Sequence, residues 1–210
     1  MTRTTFCMLS FNFKRITSLV WSSLKTASKQ SYWGIAYSRH RLTTEWVMAE
    51  LLKNPNIMRK MQLEVREVTG NKTKIDASDS NKMKYLKCVI KETLRLHPPF
   101  PFLAPREASA SVKVGGYDIP PKTKVFINIW TIQRDPKSWE RPGEFYPERF
   151  ENNPIDYRGG DHQFLPFGSG RVCPGILFGI ALVEYLIANV LCWFDWKLPV
   201  GTVEESLDMN

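Results

Sequence analysis

Hydrophobic positions recur at helical spacing through three stretches of the first half of the chain. In "LTTEWVMAELLK", residues 42–53, Leu42, Trp46, Ala49 and Leu52 fall on one face, and Asn54-Pro55 ends the run. A second helix is predicted after Pro55, with Ile57, Met61, Val65 and Val68 on one stripe and Gly70 just past its end. A polar loop over 72–81 separates it from a third, Lys82 to Leu96, which carries Tyr85, Leu86, Val89, Ile90 and Leu94 before "HPP" stops it.

The pattern changes after residue 100. "ASVKVGGYDIPPKTKVFINIW" alternates around "SVKV", turns at Gly-Gly and continues into the apolar run "VFINIW", which predicts short strands. Residues 133–165 are dense in Pro, Gly, Asp and Arg with several aromatics, and so predict an irregular segment packed by its aromatics. "GILFGIALVEYLIANVLCWF", Gly175 to Phe194, has only Glu184 and Asn189 as strongly polar positions. A carboxylate near mid-span costs a few kcal/mol in a bilayer, about 2.5–3.5 on insertion scales. A core helix is the better reading. The fold class expected is mainly α with a small β component, without the regular alternation of a doubly wound fold.

Composition adds one constraint. A formal charge of +8 invites a nucleic-acid or anionic-membrane reading. However, Arg3, Lys14, Arg15, Lys25, Lys29, Arg39 and Arg41 precede the first acidic residue, Glu45, and account for nearly all of it. Residues 1–41 form a basic leader expected to be poorly ordered, and 42–210 form the folded part. No basic stripe with interleaved aromatics follows, which sets nucleic acid aside. Rich in Ser, Thr and basic residues, the leader matches an organelle transit peptide. A translated segment foreign to the evolved protein matches it as well and is slightly favoured.

The chemistry concentrates in "FLPFGSGRVCPG", residues 164–175. A surface turn around an inert thiol is the plain reading. A phosphate loop would need a Lys-Ser/Thr pair after its glycines, and a cysteine nucleophile would need a histidine base; neither is in place. Cys7, Cys88, Cys173 and Cys192 lie far apart with no paired histidine, against a structural zinc site. Upstream, Glu92 and Arg95 stand at i and i+3 of the third helix, and Arg149 sits in "FYPERF", where it could dock onto that pair.

The order of these motifs, in "KETLRLHPPFPFLAPRE", "INIWTIQRDPKSWERPGEFYPERF" and "FLPFGSGRVCPG", resembles the C-terminal part of a cytochrome P450, most like the plant A-type enzymes. That resemblance spans about residues 42–210. It implies long helices, a short sheet, an irregular meander, the cysteine loop and a long apolar helix. It implies haem b (iron protoporphyrin IX) with Cys173 as the iron's thiolate ligand. Arg171 and Arg106 would contact propionates; Phe167 would pack beside the sulfur, and Gly175 would admit close approach of the helix. Phe100, Phe102, Leu103 and Ala104 would face the substrate, and Glu92, Arg95 and Arg149 would form a structural triad. The implied reaction inserts one atom of O₂ into a small lipophilic substrate of plant secondary metabolism. Electrons would come from NADPH-cytochrome P450 reductase at the endoplasmic reticulum membrane.

Three departures bear on activity. Family members space the loop F-x-x-G-x-R-x-C-x-G, whereas here Gly170 and Arg171 are adjacent, one residue short. The family's acid–alcohol pair for proton delivery falls, counting back from Glu45, on Ser38 and Arg39. The segments expected upstream, including the membrane anchor, and the hairpin expected after "VEESLDMN" are absent from the sequence, which predicts uncovered apolar surface and poor solubility. The rival expectation is therefore a non-catalytic, truncated remnant without turnover.

Overall fold

A computed structural model describes residues 4–7, 32–72, 74–76, 78–170 and 172–198. Most of the basic leader and Arg171 lie outside these. The chain divides into two units. The first draws on the chain up to Leu94, on Phe145–Pro154 and on the chain from Pro174; the second comprises Arg95–Glu144 and Ile155–Cys173.

Strand β1 (Thr4–Cys7), helices α1 (Tyr32–Lys53) and α2 (Pro55–Thr69), and most of α3 (Lys84–Leu96) belong to the first unit, with α5 (Ile176–Trp193) and β6 (Phe194–Lys197). Helix α1 starts ten residues before the periodic stretch begins. Its burial also exceeds one stripe. Val47, Met48, Ala49, Leu51 and Leu52 are all buried, whereas Leu42, expected on the inner face, is exposed. Pro55 opens α2, where its missing N–H costs nothing. The stripe of α2 that is buried is Met58, Met61, Val65 and Thr69, so Ile57 and Val68 flank the contact instead of making it. Thr69 can stand inside because its hydroxyl donates to the Val65 carbonyl at 2.7 Å.

Helix α3 begins at Lys84, after a 3-10 turn over Ser80–Lys82, and not at Lys82. All five of its expected core residues are buried. Its first turn is capped from another helix: the Glu64 carboxylate accepts the N–H groups of Tyr85 at 2.8 Å and Leu86 at 2.9 Å. Those donors have no partner within α3, and the negative charge suits the helix N-terminus.

The apolar helix α5 packs on α1, α2 and the Ser80–Lys82 turn, and ten of its residues, including Ile180, Val183, Ile187 and Leu191, are buried. It is the core of this unit. Strand β6 continues from it and pairs in parallel with β1, Thr4 opposite Phe194.

Glu184 is buried in α5, and burial pushes its carboxyl above the ordinary 4.5, against the lowering effects of Lys87 and a hydrogen bond with Ser80. A carboxyl raised in the folded state adds stability below that ordinary value and loses it as pH rises through the folded value. Glu184→Gln is therefore expected to raise the thermal midpoint at pH 7, with the difference from the parent shrinking toward pH 4. Calorimetry at both pH values checks this, and a lower midpoint at pH 7 would refute it.

In the second unit, β3 (Val112–Val114) and β4 (Tyr117–Ile119) form a hairpin across Gly115-Gly116. Strand β2 (Arg106–Glu107) pairs antiparallel with β5 (Lys124–Val125), extended by a bridge between Phe102 and Asn128. The expected strand "VFINIW" stops early. Asn128 accepts the Thr131 N–H on its side-chain oxygen at 3.1 Å and starts the one-turn helix α4 (Ile129–Ile132). An asparagine at that position offers the backbone a cap that competes with the strand ladder. The irregular segment does pack by aromatics: Trp139 and Phe164 are buried edge to face, 6.4 Å apart.

Candidate functional site

Cys173 is an exposed free thiol, whereas Cys88 and Cys192 are buried. Burial also pushes the Cys88 thiol upward, which keeps it protonated and inert. The loop around Cys173 folds back on itself, the Cys173 N–H donating to the Phe167 carbonyl at 3.4 Å. Gly168 and Gly170 adopt φ of +86° and +70°, a region that side chains with a Cβ avoid, so the loop's path requires glycine at both. Phe167 is half-buried and meets Tyr157 edge to face at 6.3 Å.

Three further expected site residues are Glu92, Arg149 and Arg95. In the first unit Arg149 Nε lies 3.0 Å from Glu92 Oε1, both side chains nearly removed from solvent. The same Glu92 oxygen accepts the Tyr146 N–H at 2.9 Å. Arg149 stands in the 3-10 turn Pro147–Phe150, whose Glu148 accepts from Lys60 at 2.9 Å and from the Tyr85 hydroxyl at 2.8 Å. Burial opposes ionisation of Glu148, yet these two partners hold its carboxyl below the usual range.

Arg95, in the second unit, is fully buried, and its guanidinium reaches three backbone carbonyls. It donates to Gln133 and Pro142 at 2.8 Å each and to Glu144 at 3.1 Å, and it lies over the Trp139 ring. The i, i+3 spacing suggested a partner for Glu92; it gave no sign of these carbonyls. Gln133 was missed altogether. It is fully buried, returns a hydrogen bond to the Arg95 carbonyl at 2.9 Å, and accepts the Leu165 N–H at 2.9 Å. One amide thus joins the end of α3 to the start of the cysteine loop. A glutamine inside "IWTIQRDP", on an otherwise apolar turn, was the available signal.

Arg106 is half-buried on β2 opposite Val125. Phe100, Phe102 and Ala104 are exposed and Leu103 is half-buried, with the Leu103 N–H bonded to the Ile127 carbonyl. Gly175 precedes α5, and its carbonyl accepts the Gly179 N–H at 2.9 Å. Ser38 and Arg39 lie within α1.

Comparison with known proteins places the chain in a family. Residues 41–210 match the family model for Cytochrome P450. A phenylacetaldehyde oxime monooxygenase of Prunus mume is 56% identical over 168 residues, covering 79% of this chain and 32% of the relative. A desmethylyatein synthase of Sinopodophyllum hexandrum is 57% identical over 167 residues, 79% of this chain and 34% of its own. Among solved structures, a zebra fish cytochrome P450 with abiraterone superposes with a TM-score of 0.64 at 32% identity, covering 72% of this chain and 36% of that one. The chain thus spans about a third of the length of the curated relatives it matches. It is mainly helical with a small sheet component, carries part of the fold of those relatives, and belongs to the cytochrome P450 family.

Proposed function

We propose that this chain carries the haem-ligating segment of a P450 monooxygenase, with Cys173 as the thiolate ligand of haem b. The observation that carries the reading is the loop itself, a glycine-shaped turn presenting one accessible thiol while Cys88 and Cys192 are packed away. The donor set fits. One accessible thiol on a glycine-shaped loop is the donor set that a metal already held by four ring nitrogens would need from the protein. When bound, haem with a thiolate ligand supplies the electron push that favours O–O cleavage.

The other residues position and exclude. Phe167 would pack beside the sulfur, and Gly175 would admit close approach of the helix. Arg171 and Arg106 offer cationic partners for propionates. Phe100, Phe102, Leu103 and Ala104 present the apolar surface that a small lipophilic substrate requires. The Glu92–Arg149 pair and the carbonyl-bound Arg95 act structurally. Neither Ser38 nor Arg39 is a carboxylic acid or part of an acid–alcohol pair, so proton delivery from these two positions is not part of the proposal. The reaction class is insertion of one oxygen atom from O₂, in keeping with the relative named as a monooxygenase. Electrons would come from NADPH-cytochrome P450 reductase at the endoplasmic reticulum.

The test is spectroscopic. The 210-residue chain expressed with haem supply, reduced and exposed to carbon monoxide, is expected to give the strongly red-shifted Soret band of a thiolate ligand. Cys173→Ala is expected to abolish that band. Equal haem retention and an unchanged band in the variant would refute the assignment, and no haem uptake by the parent chain would leave the non-catalytic alternative.

A further inference from the structure

Just upstream of the cysteine loop, "DYRGGD" (residues 156–161) makes a tight polar turn. The Asp161 carboxylate accepts the Asp156 N–H at 3.0 Å, and Arg158 Nε lies 3.2 Å from the Asp156 carboxylate. The two glycines of this turn have opposite surroundings. A Cβ on Gly160 would meet nothing within 4 Å. A Cβ on Gly159 would lie 2.5 Å from the Gly168 carbonyl oxygen, 3.1 Å from Ser169 Cα and 3.1 Å from Val172 Cγ2.

Two of those three atoms are backbone of the cysteine loop, and the third belongs to the residue before Cys173. Gly159 also has φ of +85° and accepts the Ser169 hydroxyl on its carbonyl at 2.8 Å. The turn therefore touches the loop on both sides of its bend, by steric contact and by one hydrogen bond. A backbone carbonyl cannot swing aside as the tip of a flexible side chain can, so a methyl group there must displace the loop.

We propose that the 156–161 turn is a brace that sets the path of the Cys173 loop, with Gly159 and Ser169 as positioning residues for the sulfur. This rests on the haem-thiolate reading, because a brace matters to chemistry only if the sulfur must meet a fixed metal. Ligating geometry tolerates errors of about half an ångström.

Two readouts separate the brace from the haem reading. The first is the share of reduced, carbon-monoxide-bound haem showing the thiolate-type Soret band. The second, on haem-free protein, is the rate at which iodoacetamide alkylates Cys173, followed by peptide mass spectrometry. Gly159→Ala is expected to lower the thiolate-type share by about tenfold or more, the scale of imposed backbone strain. It should also change the Cys173 alkylation rate. Gly160→Ala should leave both readouts at the parent's values. Because Gly159→Ala could fail to fold, Ser169→Ala provides a test free of any clash: a roughly fivefold fall is expected from losing one neutral hydrogen bond. Ser169→Thr, which keeps the hydroxyl, should recover most of it.

Parent-like values for Gly159→Ala and Ser169→Ala in both readouts would overturn the brace, as would an equal effect of Gly160→Ala. If the parent chain shows no thiolate-type band, the haem reading fails by itself, and alkylation still decides whether the turn controls the loop.

Discussion

Glu92→Ala is expected to destabilise the first unit by about 3–5 kcal/mol, the usual cost of removing one partner from a buried ion pair. Arg149 would keep its charge inside with this counter-charge gone, since the two side chains are 8% and 0% exposed. The Tyr146 N–H would lose its acceptor in the same step. Glu92→Gln keeps an acceptor for that N–H but not the charge, so a smaller loss is expected, about 1.5–3 kcal/mol. Urea titration followed by circular dichroism measures both. A double cycle with Arg149→Ala should show strong coupling between the sites, nearly unchanged by salt, because the pair is out of reach of screening ions. A cost under about 1 kcal/mol, typical of a surface pair, would sink this account.

Arg95→Leu carries the second large expectation. Three carbonyls, those of Gln133, Pro142 and Glu144, lose a charged donor at once, and leucine leaves them with no replacement. Bonds to charged groups contribute about 1.5–3 kcal/mol each, so a loss above about 3 kcal/mol is expected. Hydrogen exchange should localise it: amides in 133–144 lose protection while those of α2 keep theirs. Arg95→Lys is not a conservative change here, because one compact ammonium cannot reproduce the planar fork that reaches carbonyls on different sides. It should resemble leucine more than the parent. Unchanged exchange in 133–144 would exclude the carbonyl-clamp role.

What could be read from the residues depended on whether the signal was local. The stripe of α3 is periodic and its five expected positions are buried, whereas the apolar run of α5 is continuous and buries one side while Leu177 and Phe178 stay exposed. In α2 the same periodicity placed the stripe one residue off at both ends, because Thr69 hides its polarity in a backbone bond that a hydropathy pattern does not register. The "VFINIW" run misled for a related reason: one asparagine side chain turned a strand into a helical turn.

At the candidate site, the glycines and the single cysteine of "FLPFGSGRVCPG" are adjacent in sequence and visible at once. The groups that shape the loop from outside are not. Gln133 reaches Leu165 across 32 residues, and Gly159 reaches Gly168 only through the tertiary path of the chain. Long-range polar contacts of this kind leave no periodic trace. Arg95 is the clearest case, since its spacing to Glu92 invited a pairwise reading and gave no hint of its bonds to three carbonyls far along the chain.

The first unit is assembled from three separated lengths of chain, the last of which supplies α5. A ribosome delivers the chain from its beginning, at about 5–20 residues per second. Until the final length emerges, α1 and α2 lack the contacts that they make with α5. The packing of these helices on α5 can therefore form only after residues 176–193 have been made, so this layer of the unit closes late in synthesis.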